Sequence, residues 1–185
     1  MHTDASLVVA FLNTVDVERN EDLLDDPELW HRWSAEHAGH AIAPGKPADA
    51  RTTPATLRAA PTDARATPEA ARAVRDALRA AIGGPRLPPR PLDVPLHLAL
   101  TTDGPALLTP DVITAVLAAA TRLAIRGDWV RLKICPADDC LWAFYDESRN
   151  RSRTWCSMRV CGNREKARSW RARTAGVHNS SPVDN

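Results

Sequence analysis

Four cysteines in two equally spaced pairs constrain this sequence more than any other feature. Four residues separate Cys135 from Cys140, four separate Cys156 from Cys161, and fifteen lie between the pairs. In a reducing compartment such pairs favour metal binding over disulfides, and a tetrahedral zinc ion takes four thiolates. We therefore predict one zinc ion, which is structural because four protein ligands leave no position for a catalytic water. Two disulfides, four buried free thiols and an iron–sulfur cluster are the alternatives.

A strand is expected to lead into the first cysteine pair. Val130, Leu132 and Ile134 alternate with polar or basic residues, which is the period of a strand with one apolar face. This strand would deliver Cys135 to a tight turn, and residues 141–146 would form a second strand after the turn. A segment this short has a thin core, so a bound ion would supply much of its stability.

A basic helix is expected after the second cysteine pair. Residues 162–173 are predicted to be helical, with Ala167 and Trp170 facing inward. Cys161 would lie at the N-terminus of this helix, where free backbone N–H groups and the helix dipole stabilise a thiolate. Gly162 would let the backbone approach the cysteine sulfur closely.

The charge of the chain is unevenly distributed. Residues 131–174 hold eleven Lys/Arg against five Asp/Glu, whereas the remainder holds thirteen basic and eighteen acidic residues. A metal–thiolate centre would need one or two cations for neutralisation, and the excess fits contact with a phosphate backbone. The predicted nucleic-acid contacts are Arg149, Arg151, Arg153, Arg164, Lys166, Arg168 and Arg171. A protein–protein contact or a purely structural role is the alternative.

The first 128 residues predict a mixed α+β domain. The apolar run at residues 7–14 is interpreted as a buried strand, although such a run does not by itself exclude a helix. Asp26 is predicted to cap a helix that Gly39 ends. Residues 43–66, rich in Pro, Ala, Thr and Arg, are expected to form a loop.

A second helix is predicted from its cap at Thr67 to a glycine pair at residues 83–84. Its polar face carries Arg72, Arg75 and Arg79. We expect this face to be solvated, with Arg72 pairing with Asp76 one turn later. Residues 96–108 predict a hairpin, and residues 109–128 predict a helix that is apolar on most sides and therefore central in its domain.

The motif Cys161-Gly162-Asn163-Arg164 is the signature of the CGNR zinc-finger family, and residues 135–171 resemble that finger throughout. In that family the finger follows an N-terminal domain called ABATE. Residues 11–33 of this sequence resemble the beginning of that domain.

The resemblance implies an ABATE-like domain at residues 1–128 and a treble-clef-like zinc finger at residues 129–176; residues 177–185 are expected to be a disordered tail. It also implies that all four cysteines bind zinc and that Gly162, Asn163 and Arg164 complete the signature around them. The implied role is that of a bacterial, stress-linked, zinc-dependent transcription regulator. Its partners would be double-stranded DNA and a small-molecule effector held by the N-terminal domain, and a homodimer is left open.

An enzyme in the N-terminal domain is the competing class of function. Its candidate residues are His31, Glu36, His37 and His40. Gly39 should end the helix before His40, so their spacing lacks the geometry of a metal site. The sequence contains neither a Gly-rich phosphate loop nor a nucleophile elbow, and we therefore predict no catalytic activity.

The opening of the sequence bears on its cellular location. The apolar run at residues 7–12 follows no basic residue and is too short for an export signal or a membrane span. We therefore expect a cytoplasmic protein without a membrane segment.

Overall fold

A computed structural model describes residues 3–37, 67–84, 91–102 and 104–178. Within these ranges the α-helices are α1 Thr3–Leu12, α2 Pro27–His37, α3 Pro68–Ala81, α4 Val112–Ile125 and α5 Asn163–His178. The strands form antiparallel pairs: β1 Val15–Asp16 with β2 Glu21–Asp22, β3 His97–Thr101 with β4 Gly104–Leu108, and β5 Leu132–Ile134 with β6 Ala143–Tyr145. The fold is thus α+β, as predicted, with helices and small antiparallel sheets.

The apolar run at residues 7–14 was expected to be a strand, and this prediction is wrong because most of it lies in α1. Leu7, Val8, Phe11 and Leu12 are all buried. These positions follow the spacing i, i+1, i+4 and i+5, which places them on one face of a helix. That face packs against α4. An element with few polar residues gives no clear period, so the sequence could not separate the two structures.

Helix α4 has the central position predicted from its apolar composition. Val116, Ala119 and Leu123 are fully buried, and α4 packs against α1 in the main core. Asp111 caps its N-terminus by accepting a hydrogen bond from Thr114 N, and the Thr114 hydroxyl in turn lies within hydrogen-bond distance of Asp111 N. This reciprocal capping box fixes where the helix begins.

Helix α3 begins after its predicted cap, since Thr67 Oγ1 accepts a hydrogen bond from Ala70 N. The prediction of a solvated arginine face on α3 is wrong for Arg75 and Arg79, which are only 3% and 5% exposed. Arg72 is partly exposed, but it pairs with acidic residues of the N-terminal segment rather than with Asp76. Asp76 contacts Arg75 instead.

Asp22 is the main partner of Arg72 and Arg75. Its two carboxylate oxygens accept bidentate hydrogen bonds of 2.6 and 2.9 Å from Arg75, and it also pairs with Arg72. The oxygen Oδ1 further accepts from Leu24 N at 3.0 Å. These contacts explain why Arg75 turns inward. Its partner lies 53 positions away in the chain, so the helical period of the sequence does not reveal it.

Arg79 links the N-terminal helices to the cysteine-containing segment. Its Nη1 donates to Leu12 O and its Nη2 donates to Leu141 O, both at 2.7 Å. The side chain of Asn13 adds a second link, because it exchanges hydrogen bonds with both backbone groups of Ala143. The proposed domain boundary at residue 128 is therefore crossed by buried polar contacts.

Apolar packing crosses the same position. Leu132, Ala143 and Tyr145 of the β5–β6 hairpin belong to the same buried cluster as α1, α3 and α4. The hairpin thus rests on the N-terminal core.

The β3–β4 hairpin is present where the sequence predicts it. Leu98 pairs with Leu107 across the hairpin, but Leu98 and Leu100 are 60% and 83% exposed. No α-helix within the described ranges combines the length and apolar character needed to cross a bilayer. The predicted loop at residues 43–66 and the helix stop at Gly39 lie outside the described residues, as do residues 179–185 of the predicted tail.

We predict that Arg79→Met lowers the free energy of unfolding by about 3 kcal/mol, because it leaves two buried carbonyl oxygens without donors. Urea unfolding followed by circular dichroism measures the change. Arg32→Met, at an exposed position of α2, is the matched control and should change stability by less than about 0.5 kcal/mol. Equal effects of the two substitutions would contradict the bridging role of Arg79.

The carboxylate of Asp22 is expected to make the free energy of unfolding depend on pH. Burial alone would raise its pKa, but hydrogen bonds from Arg75 and Leu24 N outweigh burial, so the pKa of Asp22 is lowered in the folded protein. A lowered carboxyl pKa stabilises the fold above the unfolded pKa of about 3.9, and this contribution disappears as the pH falls toward the folded pKa. Asp22→Asn should therefore cost about 3 kcal/mol at pH 7, and the gap from wild type should narrow below about pH 4.

Urea unfolding from pH 7 down to pH 3 measures this gap. Asp25→Asn is the control, because Asp25 is 73% exposed and contacts only Arg72 among the charged groups described. The difference in free energy of unfolding between Asp25→Asn and wild type should stay below about 1 kcal/mol over the whole pH range. An Asp22→Asn gap that is independent of pH would contradict the assignment.

Candidate metal centre

The four cysteine sulfurs converge on one point. The Sγ atoms of Cys135, Cys140, Cys156 and Cys161 all lie within 4.8 Å of one another. The Cys140–Cys156 and Cys156–Cys161 sulfur pairs are 3.5 and 3.6 Å apart. A tetrahedral ion with metal–sulfur bonds of about 2.3 Å places its ligands about 3.8 Å apart. The donor set and its spacing therefore fit a single four-coordinate metal ion.

The first pair of cysteines is held by the turn between β5 and β6. Cys135 N donates to Trp142 O at 2.9 Å, which extends the hairpin pairing by one step, and Cys140 N donates to Ala137 O at 2.9 Å. Leu141 then adopts a positive φ of 50°, which is uncommon for a residue with a side chain. The hydrogen bond from Arg79 to Leu141 O holds this conformation.

A π-helical turn, Met158–Gly162, precedes α5 and holds the second pair, with Cys156 before the turn and Cys161 inside it. The Ser157 side chain accepts a hydrogen bond from Val160 N, and Gly162 N donates to Ser157 O at 3.1 Å. Cys161 therefore lies within this turn, just ahead of the helix predicted to begin there. A Cβ atom at Gly162 would lie 2.5 Å from Met158 Sδ and 3.2 Å from Trp155 Cδ1. A side chain at residue 162 would therefore displace the flexible Met158 side chain and press on the Trp155 ring, and the glycine avoids both contacts.

The thiols resist simultaneous ionisation. Burial raises the pKa of Cys161 to about 11 and also raises the pKa of Cys156. Burial acts in the same direction on Cys135, but backbone hydrogen bonds from Cys156 and Ala137 outweigh it and lower its pKa. A divalent cation between the sulfurs would stabilise all four thiolates, so the electrostatics of the cluster suit a metal ion.

Arg164 of the signature is tied to acidic residues. It donates to Asp139 Oδ2 at 2.7 Å and to Glu18 Oε1 at 3.3 Å, and Arg168 donates to the same Asp139 oxygen at 2.8 Å. The hydrogen bond from Arg164 lowers the pKa of Asp139. Asn163 donates to Arg159 O and is otherwise exposed. The signature arginine therefore fastens α5 to the turn that precedes Cys140.

Arg153 also has a structural contact. It lies 4.9 Å from the centre of the Phe144 ring and donates to the backbone carbonyls of Trp155 and Cys156. It thereby holds the chain beside the second cysteine pair.

The remaining basic residues are differently placed. Among the described residues, no carboxylate forms an ion pair with Arg149, Arg151, Arg159, Lys166, Arg171 or Arg173, and all six are exposed.

The inward orientation predicted for Trp170 and Ala167 is wrong. Trp170 is 62% exposed and Ala167 is also exposed. Helix α5 contacts the π-helical turn and the acidic residues at its start, whereas its later positions up to Thr174 are exposed on all sides. The amphipathic pattern was misleading because, in the part of the chain that the structure describes, no element covers the tryptophan face.

Asp146 is a buried residue whose role the sequence analysis missed. It accepts hydrogen bonds from Lys133 Nζ at 2.7 Å, Ser148 N at 2.9 Å and Arg153 N at 3.0 Å. Burial opposes its charge, but these hydrogen bonds hold its pKa well below the usual range. Asp146 therefore anchors the loop between the two cysteine pairs. The sequence did contain a signal for this role, because Asp146 is an acidic residue directly after the apolar strand β6.

The histidine candidates form no comparable arrangement. His31 and Glu36 are exposed on α2, while His37 stacks on Trp33 at 4.0 Å and contacts Trp33 O. His40 lies outside the described residues. Within the described part of the chain, the four cysteines are the one group of His, Cys, Asp and Glu residues with a metal-binding arrangement.

A converging four-sulfur cluster between a hairpin and the start of a helix has an arrangement that could hold a metal ion. The model of the CGNR zinc finger family matches residues 131–174, which contain all four cysteines. The resemblance is thereby confirmed for this segment, which is 44 of the 185 residues. No curated protein shows significant similarity to the chain. The ABATE resemblance of the N-terminal residues stays a prediction.

We predict about one bound metal ion per wild-type chain purified without chelator, and less than about 0.2 in Cys161→Ser, because three thiolates hold the ion much more weakly. Plasma mass spectrometry measures the metal. The sequence has no cysteines beyond these four, so chelator should expose four reactive thiols in the wild type. Ser169→Ala, at an exposed position of α5, is the control and should keep the ion. Full metal retention by Cys161→Ser would contradict the assignment.

Proposed function

We propose that the four cysteines bind one structural zinc ion and that the finger binds double-stranded DNA as part of a cytoplasmic, non-enzymatic transcription regulator. Four converging sulfurs suit zinc, which prefers tetrahedral thiolate coordination. One ligand pair comes from a hairpin turn and the other from the turn before a helix, which supports a treble-clef-like finger. In this proposal the N-terminal region is an ABATE-like, effector-binding domain.

The observation that carries the DNA proposal is the set of exposed cations in the finger that form no ion pair with a described carboxylate. Lys166, Arg171 and Arg173 lie on the exposed part of α5, and Arg149, Arg151 and Arg159 lie on the segments before it. Cations without carboxylate partners are free to replace the counterions of a phosphate backbone. A helix that is exposed on all sides is also accessible to a groove of the duplex.

Arg164 and Arg168 are weaker candidates than the sequence suggests. Both donate to Asp139, so a phosphate must compete with that carboxylate. Exposed ion pairs contribute little stability, and DNA with its high charge density is able to displace them. Lys166 and Arg171 start from no such pairing, and we rank them first among the predicted contacts.

A protein-binding finger is the second candidate function. Met158, Val160 and Trp170 are 51%, 52% and 62% exposed. Exposed apolar side chains of this size are typical of a protein interface as well as of a surface that packs on DNA sugars and bases. The salt dependence of DNA binding separates the two functions.

We expect Lys166→Gln/Arg171→Gln to weaken duplex DNA binding and to reduce the slope of log affinity against log salt concentration by about two. Fluorescence anisotropy with a labelled duplex of mixed sequence, from 50 to 300 mM salt, measures both quantities. The control Arg19→Gln/Arg32→Gln removes the same charge from exposed positions outside the finger.

The control should retain most of the affinity and the full slope. Metal content is measured for every variant, so that loss of the finger is not mistaken for loss of a contact. If the α5 variant keeps its zinc and its salt slope, α5 is not the DNA-binding surface and the protein-binding function is favoured.

A further inference from the structure

An apolar groove lies between α3 and the start of α4, and none of the cysteines lines it. Its volume is about 390 Å³, which is within the range of small-molecule sites. Its apolar lining includes Ala70, Ala73, Val74, Leu92, Val94 and Ile113. Asp111 and Thr114 contribute polar groups to the lining at the N-terminus of α4.

Asp111 has one carboxylate oxygen without a partner. The residue is only 8% exposed, and its Oδ1 accepts from Thr114 N at 2.8 Å and contacts the Thr114 hydroxyl at 3.1 Å. Its Oδ2 is buried and accepts no hydrogen bond. No described cation forms an ion pair with this carboxylate. A buried, unpaired carboxylate oxygen is unfavourable unless a donor reaches it.

Helix capping does not account for this second oxygen. Capping requires one side-chain acceptor, which Oδ1 supplies, and Ser or Asn can also supply it. The helix dipole favours the charge of Asp111 but provides no hydrogen bond to its second oxygen. An aspartate therefore adds a negative charge that the helix start uses only in part.

We propose that the groove binds a small amphipathic ammonium compound, whose alkyl or aryl body packs on the apolar lining and whose N–H groups donate to Asp111. A protonated amine beside Asp111 balances the charge of the carboxylate, and charge-assisted hydrogen bonds of this kind are the stronger ones. The apolar body gains free energy by leaving water. Binding of the ammonium compound in the groove does not depend on whether the finger binds DNA. The interpretation of this compound as an effector does rest on the proposed function.

The probe is n-hexylammonium chloride, compared with 1-hexanol and sodium hexanoate at equal concentration and ionic strength. Titration calorimetry and thermal unfolding are performed on the full, metal-loaded chain without DNA. We expect hexylammonium to bind and to raise the melting temperature in a concentration-dependent manner. Hexanol should bind at least about tenfold more weakly, and hexanoate should not bind. Absence of hexylammonium binding, or equal binding of hexanoate, would overturn the proposal.

Two variants test the assigned residues. Asp111→Asn keeps an acceptor for the helix cap but loses the charge, so its hexylammonium affinity should fall about tenfold. Ala73→Phe, at an exposed position on the wall of the groove, should abolish binding by filling the space even if Asp111→Asn fails to fold. Unchanged affinity in either folded variant would overturn the proposal. DNA affinity is measured separately, so the loss of one activity is distinguishable from the loss of the other.

Discussion

The buried guanidinium of Arg79 is the contact on which the arrangement of the chain depends. It joins the end of α1 at Leu12 to the backbone that follows Cys140, at Leu141. Burial lowers the pKa of Arg79, so its charge is tolerated only because both carbonyl bonds are made. The β5–β6 hairpin shares the apolar core of the N-terminal helices as well. The hairpin that carries the first cysteine pair is therefore built onto that core rather than linked to it by a flexible connection.

The two halves of the cysteine cluster are stabilised differently. The first pair is fixed by the hairpin and by Arg79, whereas the second pair depends on the π-helical turn, on Gly162 and on hydrogen bonds from Arg153. The small cluster around the sulfurs contains little apolar material beyond Phe144, Ala137 and Trp155. A bound ion would therefore contribute most where the core is thinnest, by joining the second pair to the first.

Features set by local rules were predictable from the sequence, and features set by distant partners were not. Thr67 caps α3 and the four cysteines converge, because capping and ligand spacing are encoded within a few residues. The burial of Arg75 depends on Asp22, which is 53 positions away. Trp170 is exposed because no described element packs against its face of α5, and a local sequence pattern cannot reveal this. Asp139 likewise engages Arg164 across 25 positions, which no charge count of the basic segment reveals.

Helix α3 is the element that connects the two proposed sites. Its first turns carry Ala70, Ala73 and Val74 of the groove, and its last turn carries Arg79, which reaches the residue after Cys140. A ligand that moved α3 along its axis would strain a short, buried hydrogen bond beside the metal centre, and a close-packed core does not absorb such a shift gradually. Contiguity alone is not coupling. The shared helix does indicate how coupling would be measured, namely as the effect of a ligand in the groove on the rate of metal release. Substitution of Arg79 should abolish that effect.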